Sequence, residues 1–518
     1  METEYFTENE LLRMDKQVNE IRKDILTDND KLYDSVSSDN EIILMGESTH
    51  GTLEFYERRS SITKHMIREK GYTMILLEAE WPDITRVNDY IQGRGTDNSA
   101  KEAFSNITQF PVWMWNNSVS YELIEWIKEY NLSHSDNMVY VYGIDCQRFL
   151  SCMKPIIEYM HNCKHPHHAQ VSTNMAIFRQ FITEGQYAGC AVLGPLKPHV
   201  ANIMGKLQKQ LSRFQWDYLD KIIDKPKMAK EHKINSICCE QCLEILVNGE
   251  EYVRKMLEEP EGSQASWNTR DQHMLMTIMR MRNRFAQLNN GVTPKIIVWA
   301  HNSHIGNSIA TSRGGTTFAN NNTWNVGQMV KEMFPKSINI GFYTYGGKVT
   351  AAKKNNNSEE TMELENSHPL SYEYLFHKIC EKNDTNEFWL DLRKYKTDIK
   401  PNDSIDYKLN TEYRDVYTGE RFIAKSIVTD EKKLTYLIDK ADKKWLFVNP
   451  YGVTRIRCKP LNAYDFKDTV ELFNSNLLQR WVGVHYVKKT EMDSHYGESR
   501  LAEQYDHIVF IDNTNQVG

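Results

Sequence analysis

Two short segments of the chain carry side chains that can do acid–base chemistry. The first is the run Gly-Glu-Ser-Thr-His-Gly at 46–51, in which Glu47 precedes His50 by three positions. The second is the run His-Asn-Ser-His at 301–304. A histidine has an ordinary pKa of about 6.5, so it can accept a proton near neutral pH, and a nearby carboxylate can orient it. The types and spacing predict His50 as a general base with Glu47 as its partner.

Two further charged residues are candidates for the same chemistry. Arg59 falls on a predicted helix after His50, where a guanidinium can stabilise developing negative charge or hold Glu47 ionised. A solvated helix face is the structural alternative for this arginine. Glu78 closes the apolar run 73–78, and a carboxylate at the end of a buried strand is seldom left unpaired. We therefore favour Glu78 as a functional carboxylate.

The second segment is also compatible with a metal site. His301 and His304 lie three positions apart, a spacing that a metal can use. Zinc needs a third protein ligand, which Glu47, His50 or Glu78 can supply. Paired histidines can equally bind substrate oxygens or polarise a carbonyl without any metal. We expect no metal and no cofactor, with a divalent metal as the alternative.

Missing motifs narrow the reaction class. The sequence has no Gly-x-Ser-x-Gly elbow of a serine hydrolase, no Gly-x-x-x-x-Gly-Lys phosphate loop and no Gly-x-Gly-x-x-Gly dinucleotide fingerprint. If the protein is a hydrolase, water is therefore the expected nucleophile.

The bulk properties of the sequence leave small or neutral partners open. The 518 residues carry a net charge of -7, with 63 basic and 70 acidic residues spread along the chain, which gives no electrostatic reason to expect nucleic acid or a membrane. No signal peptide or run of about 18 apolar residues is present. We expect a cytoplasmic protein with free thiols, and the oligomeric state stays open.

The elements that must position these side chains alternate between apolar strands and helices. A strand, a helix and a second strand at βαβ spacing imply a parallel sheet, and near-continuous apolar strands agree with it. The predicted class is α/β, a mainly parallel sheet flanked by helices. The predicted strands cover 41–45, 73–78, 138–145, 295–300, 338–344 and 507–512, and the predicted helices include 8–37, 52–70 and 267–287.

The composition divides the chain into three parts. Residues 151–288 are rich in Met, Leu and charged residues, which predicts a large inserted helical lobe. Residues 1–150 and 289–518 form a discontinuous α/β core. Short alternating runs within 400–470 predict a small β-rich subdomain inserted late in that core.

The chain resembles the erythromycin esterase family, which also contains succinoglycan-biosynthesis-like proteins. The resemblance rests on motifs in the same order over most of the chain. They stand at 46–52, 54–56 and 59, 78–83, 86–88, 110–115, 142–145, 266–274, 299–304, 325–328, 494–496, 504–506 and 511–512.

The resemblance implies hydrolysis of a macrolide's lactone ester by a water that His50 activates. It gives Glu47, Arg59, Glu78, His301 and His304 as the other active-site residues. Arg270 and His273 sit in a motif similar to the family's, and Trp113 and Trp115 are expected to line a substrate cleft. Stretches 311–324 and 400–470 depart from the family pattern. The alternatives are a metal-dependent hydrolase or transferase acting on a saccharide or phosphoester, and a non-catalytic binding protein.

Overall fold

The chain forms two compact units, which are described separately. Unit 1 comprises Met1–Ile62, Gln109–Val119 and Ala300–Gly518, and unit 2 comprises Thr63–Thr108 and Ser120–Trp299. The computed structural model describes residues 5–28, 33–34, 36, 39–181, 183–192, 194, 197–223, 225, 228–258, 264–313, 316–317, 323–353, 358–397, 412–415, 421–423, 426–429, 435–438, 444–445, 458–460 and 466–518.

The strands of the described ranges are mostly short, with one long exception, β8. They are β1 (Ile25–Leu26), β2 (Ile42–Met45), β3 (Tyr72–Glu80), β4 (Tyr140–Asp145), β5 (Lys295–Trp299), β6 (Thr311–Arg313), β7 (Thr316–Thr317), β8 (Ser337–Ala352), β9 (Glu359–Leu364), β10 (Glu387–Asp391), β11 (Glu412–Asp415), β12 (Arg421–Ile423), β13 (Ser426–Thr429), β14 (Thr435–Ile438), β15 (Lys444–Trp445), β16 (Cys458–Pro460), β17 (Leu477–Arg480), β18 (Tyr496–Ser499) and β19 (His507–Thr514).

The α-helices of the described ranges vary from one turn to eight. They are α1 (Glu8–Ile21), α2 (Leu53–Lys70), α3 (Trp81–Ile91), α4 (Ala100–Ala103), α5 (Ser118–Ser133), α6 (Met153–Asn162), α7 (His168–Met175), α8 (Glu184–Tyr187), α9 (Lys197–Arg213), α10 (Asp220–Ile223), α11 (Lys230–Glu258), α12 (Gln264–Leu288), α13 (Asn302–Ile305), α14 (Val326–Met333), α15 (Tyr372–Asn383), α16 (Thr469–Phe473), α17 (Glu491–Ser494) and α18 (Leu501–Gln504). None of them is both long and apolar enough to cross a membrane.

Unit 1 contains a mixed sheet with the strand order β1-β10-β19-β8-β2. Strands β2, β8 and β19 run parallel. At one edge, β10 pairs antiparallel with β19, and β1 pairs antiparallel with β10. The last residues of β8 pair antiparallel with β9. Every residue of β2 is buried, which fits a strand covered on both faces.

Unit 2 combines three parallel strands with long helices. Strand β3 lies between β5 and β4 and pairs parallel with both. Its register shifts between Leu77 and Glu80, where it faces the end of β4. Helices occupy most of the described residues between 153 and 288, the range predicted as a helical lobe. The status of that range as a separate domain stays a prediction.

The predicted α/β class is confirmed, and the status of the late β-rich segment as an inserted subdomain stays a prediction. Strands β11 to β16 pair antiparallel in two three-stranded sheets, β12-β11-β16 and β13-β14-β15. Residues 466–470 are also described and include the start of α16, whereas the other residues of the predicted 400–470 subdomain fall outside the described ranges. In unit 1, β17, β18, β6 and β7 form a further small sheet, so the described part of the 311–324 stretch is extended.

The predicted helix over 8–37 is wrong in its length. Helix α1 starts with a capping box, in which Thr7 and Glu10 bond each other's backbone, but it ends at Ile21. The apolar pattern stops at the polar run 22–24, and the amide of Asp24 turns back to the carbonyl of Ile21 at 2.9 Å. The chain then forms β1, which pairs with β10. Neither β1 nor β10 has a hydrophobic pattern distinctive enough to predict a strand from the sequence.

Candidate active site

The turn at 46–51 follows the end of β2 and is held by backbone hydrogen bonds on both sides. The amide of Asn302 donates to the carbonyl of Glu47 at 2.8 Å. On the other side, Val482 donates to the carbonyl of Ser48 at 2.7 Å and accepts from the amide of His50 at 3.2 Å. Two segments that are distant in sequence, near Asn302 and Val482, therefore fix the conformation of the turn.

The far end of the turn is anchored by residues from the other end of the sequence. The carbonyl of Gly51 accepts the amides of Thr350 at 3.0 Å and Val517 at 2.8 Å. A Cβ at Gly51 would lie 1.9 Å from the carbonyl oxygen of Thr350, so only glycine allows this approach. The amide of Asn515 donates to both carboxylate oxygens of Glu54, at 3.0 and 2.9 Å. Hydrogen bonds thus hold both ends of the turn, and the chain continues from it into α2.

Glu47, His50 and Arg59 form a buried hydrogen-bonded group. Nδ1 of His50 lies 2.8 Å from Oε1 of Glu47, and Nη2 of Arg59 donates to Oε2 of the same carboxylate at 2.5 Å. Their exposed fractions are 7% for His50, 1% for Glu47 and 0% for Arg59. Because Oε1 of Glu47 is the hydrogen-bond acceptor, Nδ1 is the nitrogen that carries the proton in the neutral imidazole. The lone pair of His50 then lies on Nε2, the position that a general base requires.

Tyr56 is a member of this group to which the sequence analysis gave no role. Its hydroxyl donates to the carbonyl of His50 at 2.8 Å, and the guanidinium of Arg59 lies 4.6 Å from its ring centroid. The two residues lie three positions apart, so both side chains face the turn from one side of α2. That helical spacing from Arg59 is the signal that could have identified Tyr56.

The second histidine segment meets the first within unit 1. The ring centroids of His50 and His301 are 4.7 Å apart. Nδ1 of His301 accepts the amide of Ser303 at 3.2 Å, so Nε2 carries the proton in the neutral ring. That nitrogen lies 3.4 Å from the carbonyl oxygen of Ser48. His301 is the N-cap of the short helix α13, in which His304 is buried. The structure therefore brings a base-type and a donor-type imidazole together.

The predicted tryptophans lie near this group, in the segment 109–119 of unit 1. Trp115 packs edge-on against Tyr56, with ring centroids 6.5 Å apart. Trp113 packs against Phe110 at 5.3 Å. Both tryptophans are buried, with exposed fractions of 4% and 5%. Trp115 therefore contacts Tyr56, whose hydroxyl bonds the backbone of His50. Trp113 belongs to a neighbouring aromatic cluster with Phe110.

Glu78 and Arg270 form a separate cluster in unit 2, with Asp145 as a third member. Arg270 donates from Nε and Nη2 to both oxygens of Asp145, at 3.0 and 2.7 Å, and from Nη2 to Glu78 at 2.7 Å. Burial alone would lower the pKa of Arg270, but the two carboxylates raise it well above its usual range. Burial alone would raise the pKa of Asp145, but the guanidinium of Arg270 holds the pKa of this carboxyl below its ordinary value.

Glu80 holds a proton more tightly than its neighbours. Burial, followed by repulsion from Asp145, raises the pKa of Glu80 well above the usual value. Its carboxyl accepts the backbone amide of Arg148 at 3.2 Å. The sequence analysis favoured Glu78 and assigned no role to Glu80 or Asp145, because the pairing of β3 with β4 that joins them is not visible in local patterns.

His273 lies in the packing between α11 and α12. Its Nδ1 accepts from the side-chain amide of Asn248 at 3.0 Å, and its Nε2 lies 3.4 Å from both Gln241 and Thr277. Burial lowers the pKa of His273 to about 3, so the ring is neutral near physiological pH. This environment favours a packing role, and the predicted role in substrate binding stays a prediction.

Metal-ligating side chains are not gathered in the part of the chain that the structure describes. Within it, no group of three or more His, Cys, Asp or Glu side chains is placed to hold a metal ion. The expectation that the protein needs no metal stays a prediction, which elemental analysis of the purified protein tests.

Comparison with known proteins gives the family. The family model for erythromycin esterase matches residues 67–514 of the chain. The chain belongs to the erythromycin esterase family. Among curated relatives, erythromycin esterase type II from Escherichia coli is 24% identical over 127 residues, which are 24% of this chain and 28% of that protein. The alignment thus spans less than a third of that esterase.

Solved structures share the fold of this erythromycin esterase family member over nearly its whole length. A succinoglycan biosynthesis protein has a TM-score of 0.64 at 16% identity, and a protein from Bacillus cereus has 0.62 at 16% identity; each alignment covers 97% of this chain and 98% of the other. A mutant erythromycin esterase in its open conformation has a TM-score of 0.56 at 14% identity, with 94% of each chain covered. These identities support a shared fold.

Proposed function

We propose that the protein hydrolyses a carboxylic ester by activating water with His50. The observation that carries this proposal is the 2.8 Å contact between Nδ1 of His50 and the buried carboxylate of Glu47. It gives the imidazole the tautomer and orientation of a general base, and Arg59 donates to the other oxygen of the carboxylate. Membership of the erythromycin esterase family supports an ester as the substrate.

The reaction needs only groups found at the turn, water and the ester. Nε2 of His50 takes a proton from water as the water oxygen attacks the carbonyl carbon. The tetrahedral intermediate then collapses by breaking the bond to the alkoxy oxygen, and the imidazolium returns its proton to that oxygen. The products are a carboxylic acid and an alcohol, and the histidine ends in its starting state.

His301 is the group best suited to stabilise the negatively charged oxygen of the intermediate. Its Nε2 carries a proton and lies 3.4 Å from the carbonyl of Ser48, a long contact that a charged oxygen can replace. Arg59 is less suited, since its guanidinium already holds Glu47 at 2.5 Å.

The substrate that we propose is a macrolide, opened at its lactone ester. The name of the Escherichia coli relative supports this choice, as do the aromatic side chains of Trp115, which packs against Tyr56, and of Trp113, which packs against Phe110. A large apolar ring is bound mainly by such apolar and aromatic surfaces. Glu78 remains a predicted site residue, and Glu78→Gln tests it in the assay described next.

The test follows erythromycin by mass spectrometry and looks for a product heavier by one water. His50→Asn should lower turnover by about 10²–10⁴-fold, the usual contribution of a general base. The matched control is His377→Asn, because Nδ1 of His377 lies 2.7 Å from a carboxylate oxygen of Asp512 elsewhere in unit 1. The control should keep near wild-type turnover. Equal turnover by His50→Asn and wild type would overturn the mechanism, and no product from folded wild-type protein would overturn the substrate.

A further inference from the structure

Asn302 belongs to the second candidate catalytic segment and is hydrogen-bonded to the first. Its backbone amide donates to the carbonyl of Glu47 at 2.8 Å, while its neighbour in sequence is His301. Its side chain is bonded to β8, since Nδ2 donates to the carbonyl of Phe342 at 2.8 Å and Oδ1 accepts the amide of Phe342 at 3.3 Å. Asn302 is fully buried. One residue therefore joins the His50 turn, the His301 turn and the central strand.

Tyr505 completes the bonding of Asn302. Its hydroxyl donates to the carbonyl of Asn302 at 3.1 Å, and the amide of Gly306 donates to the same oxygen at 3.0 Å. Tyr505 is itself fully buried and packs edge-on against Tyr343, with ring centroids 5.9 Å apart. Every polar group of Asn302 is thus used, and a rigid aromatic side chain supports its carbonyl.

The contact between Asn302 and the His50 turn is close enough to require a glycine. A Cβ placed on Gly46 would lie 1.9 Å from Oδ1 of Asn302. The absence of a side chain at Gly46 therefore lets the amide group of Asn302 reach β8 past the end of β2. Displacing Asn302 would move the backbone next to Glu47 and His301 together.

We propose that Asn302 and Tyr505 are positioning residues, which fix the spacing between the Glu47–His50 pair and His301 without contacting the substrate. This inference rests on the proposed function, because it assigns both histidines to one ester. A displacement of about 1 Å between reacting groups can lower a rate by about 10²-fold. Loss of the hydrogen bond from Tyr505 should therefore lower kcat more than it changes KM.

The test compares Tyr505→Phe with Tyr372→Phe. Both tyrosines are buried in unit 1, and the hydroxyl of Tyr372 donates to the carbonyl of Ser475 at 2.9 Å. Each substitution removes one buried hydroxyl that bonds the backbone. Tyr372→Phe should lower Tm at least as much as Tyr505→Phe, because the hydroxyl of Tyr372 also accepts the amide of Leu501 at 3.3 Å. We expect Tyr505→Phe to lower kcat by about tenfold with KM unchanged, and Tyr372→Phe to leave kcat unchanged. Equal effects of the two variants on kcat would overturn the proposal.

A second measurement separates this inference from the proposed function. Selectively labelled histidines report the surroundings of the His50 and His301 rings through their NMR chemical shifts, with or without turnover of any ester. Tyr505→Phe should change the ring signals of both histidines, whereas Tyr372→Phe should change neither. If wild type hydrolyses no ester and the Tyr505→Phe changes still occur, the proposed function fails and the positioning role holds. Unchanged ring signals in Tyr505→Phe would overturn the positioning role.

Discussion

At the scale of single residues, Glu47 carries two interactions that depend on each other. One carboxylate oxygen orients His50, and the other pairs with the buried guanidinium of Arg59. A buried carboxylate beside a single imidazole would be costly to ionise, and Arg59 offsets that cost. Arg59 therefore acts on His50 through the carboxylate of Glu47.

We predict that Glu47→Gln loses both activity and stability. Turnover should fall by about 10²-fold or more because His50 loses its anionic partner. The free energy of unfolding should fall by about 3–5 kcal/mol, because Arg59 stays buried after its carboxylate is removed. Urea unfolding and the erythromycin assay measure the two effects.

The double variant Glu47→Gln/Arg59→Met is the control for this pair. It should regain part of the lost stability, since no buried charge remains, but none of the lost activity. A double variant no more stable than Glu47→Gln would show that the ion pair does not account for the loss.

At the scale of elements, the conformation of the turn at 46–51 depends on the segments packed around it more than on its own sequence. Its carbonyls and amides are bonded to segments near residues 302, 350, 482 and 517. Such a turn tolerates little added volume, because its neighbours are backbone atoms that cannot rotate away.

Alanine substitutions at Gly51 and Gly205 should have opposite effects on stability. Gly51→Ala places a Cβ 1.9 Å from the carbonyl oxygen of Thr350, so it should lower the free energy of unfolding and abolish turnover. Gly205→Ala lies in α9, where no atom lies within 4 Å of the new Cβ, and alanine should stabilise the helix by about 0.5–1 kcal/mol. Thermal unfolding measures both, and a shift of the same sign in both variants would contradict this account.

The sequence predicted what local patterns encode. Strands β2 to β5 and β19 are apolar runs that end in polar residues, and helix α2 follows a clear turn. His50 and its partner Glu47 are three positions apart, so their contact could be predicted from spacing. The roles of Asn302 and Tyr505 could not, because the hydrogen bond between them joins residues 203 positions apart.

At the scale of the whole molecule, each unit buries a neutral histidine outside the His50 group. Burial lowers the pKa of His273 in unit 2 to about 3 and that of His507 in unit 1 to about 4. An unfolded chain binds protons at these residues below about pH 6.5, whereas the folded chain does not until lower pH. Stability is therefore complete above about pH 6.5 and is lost as the pH falls towards the folded values.

We predict that acid weakens the fold through these two residues. Each should contribute a loss of about 1.4 kcal/mol per pH unit between pH 6 and pH 4.5. Urea unfolding of wild type and His273→Gln at a series of pH values measures the slope. The variant should have the shallower slope, whatever its stability at pH 7. Identical slopes would mean that His273 takes up its proton in the folded chain as easily as in the unfolded one.

The bond between Glu54 and Asn515 has a consequence for the timing of synthesis. The two residues are 461 positions apart. A ribosome adds about 5–20 residues per second, so roughly 20–90 seconds separate them during translation. Throughout that interval the nascent chain carries Glu47 and His50 without the contacts that hold the far end of their turn. Hydrolytic activity should therefore appear only after residue 517 has left the ribosome, and a chain stalled earlier should be inactive.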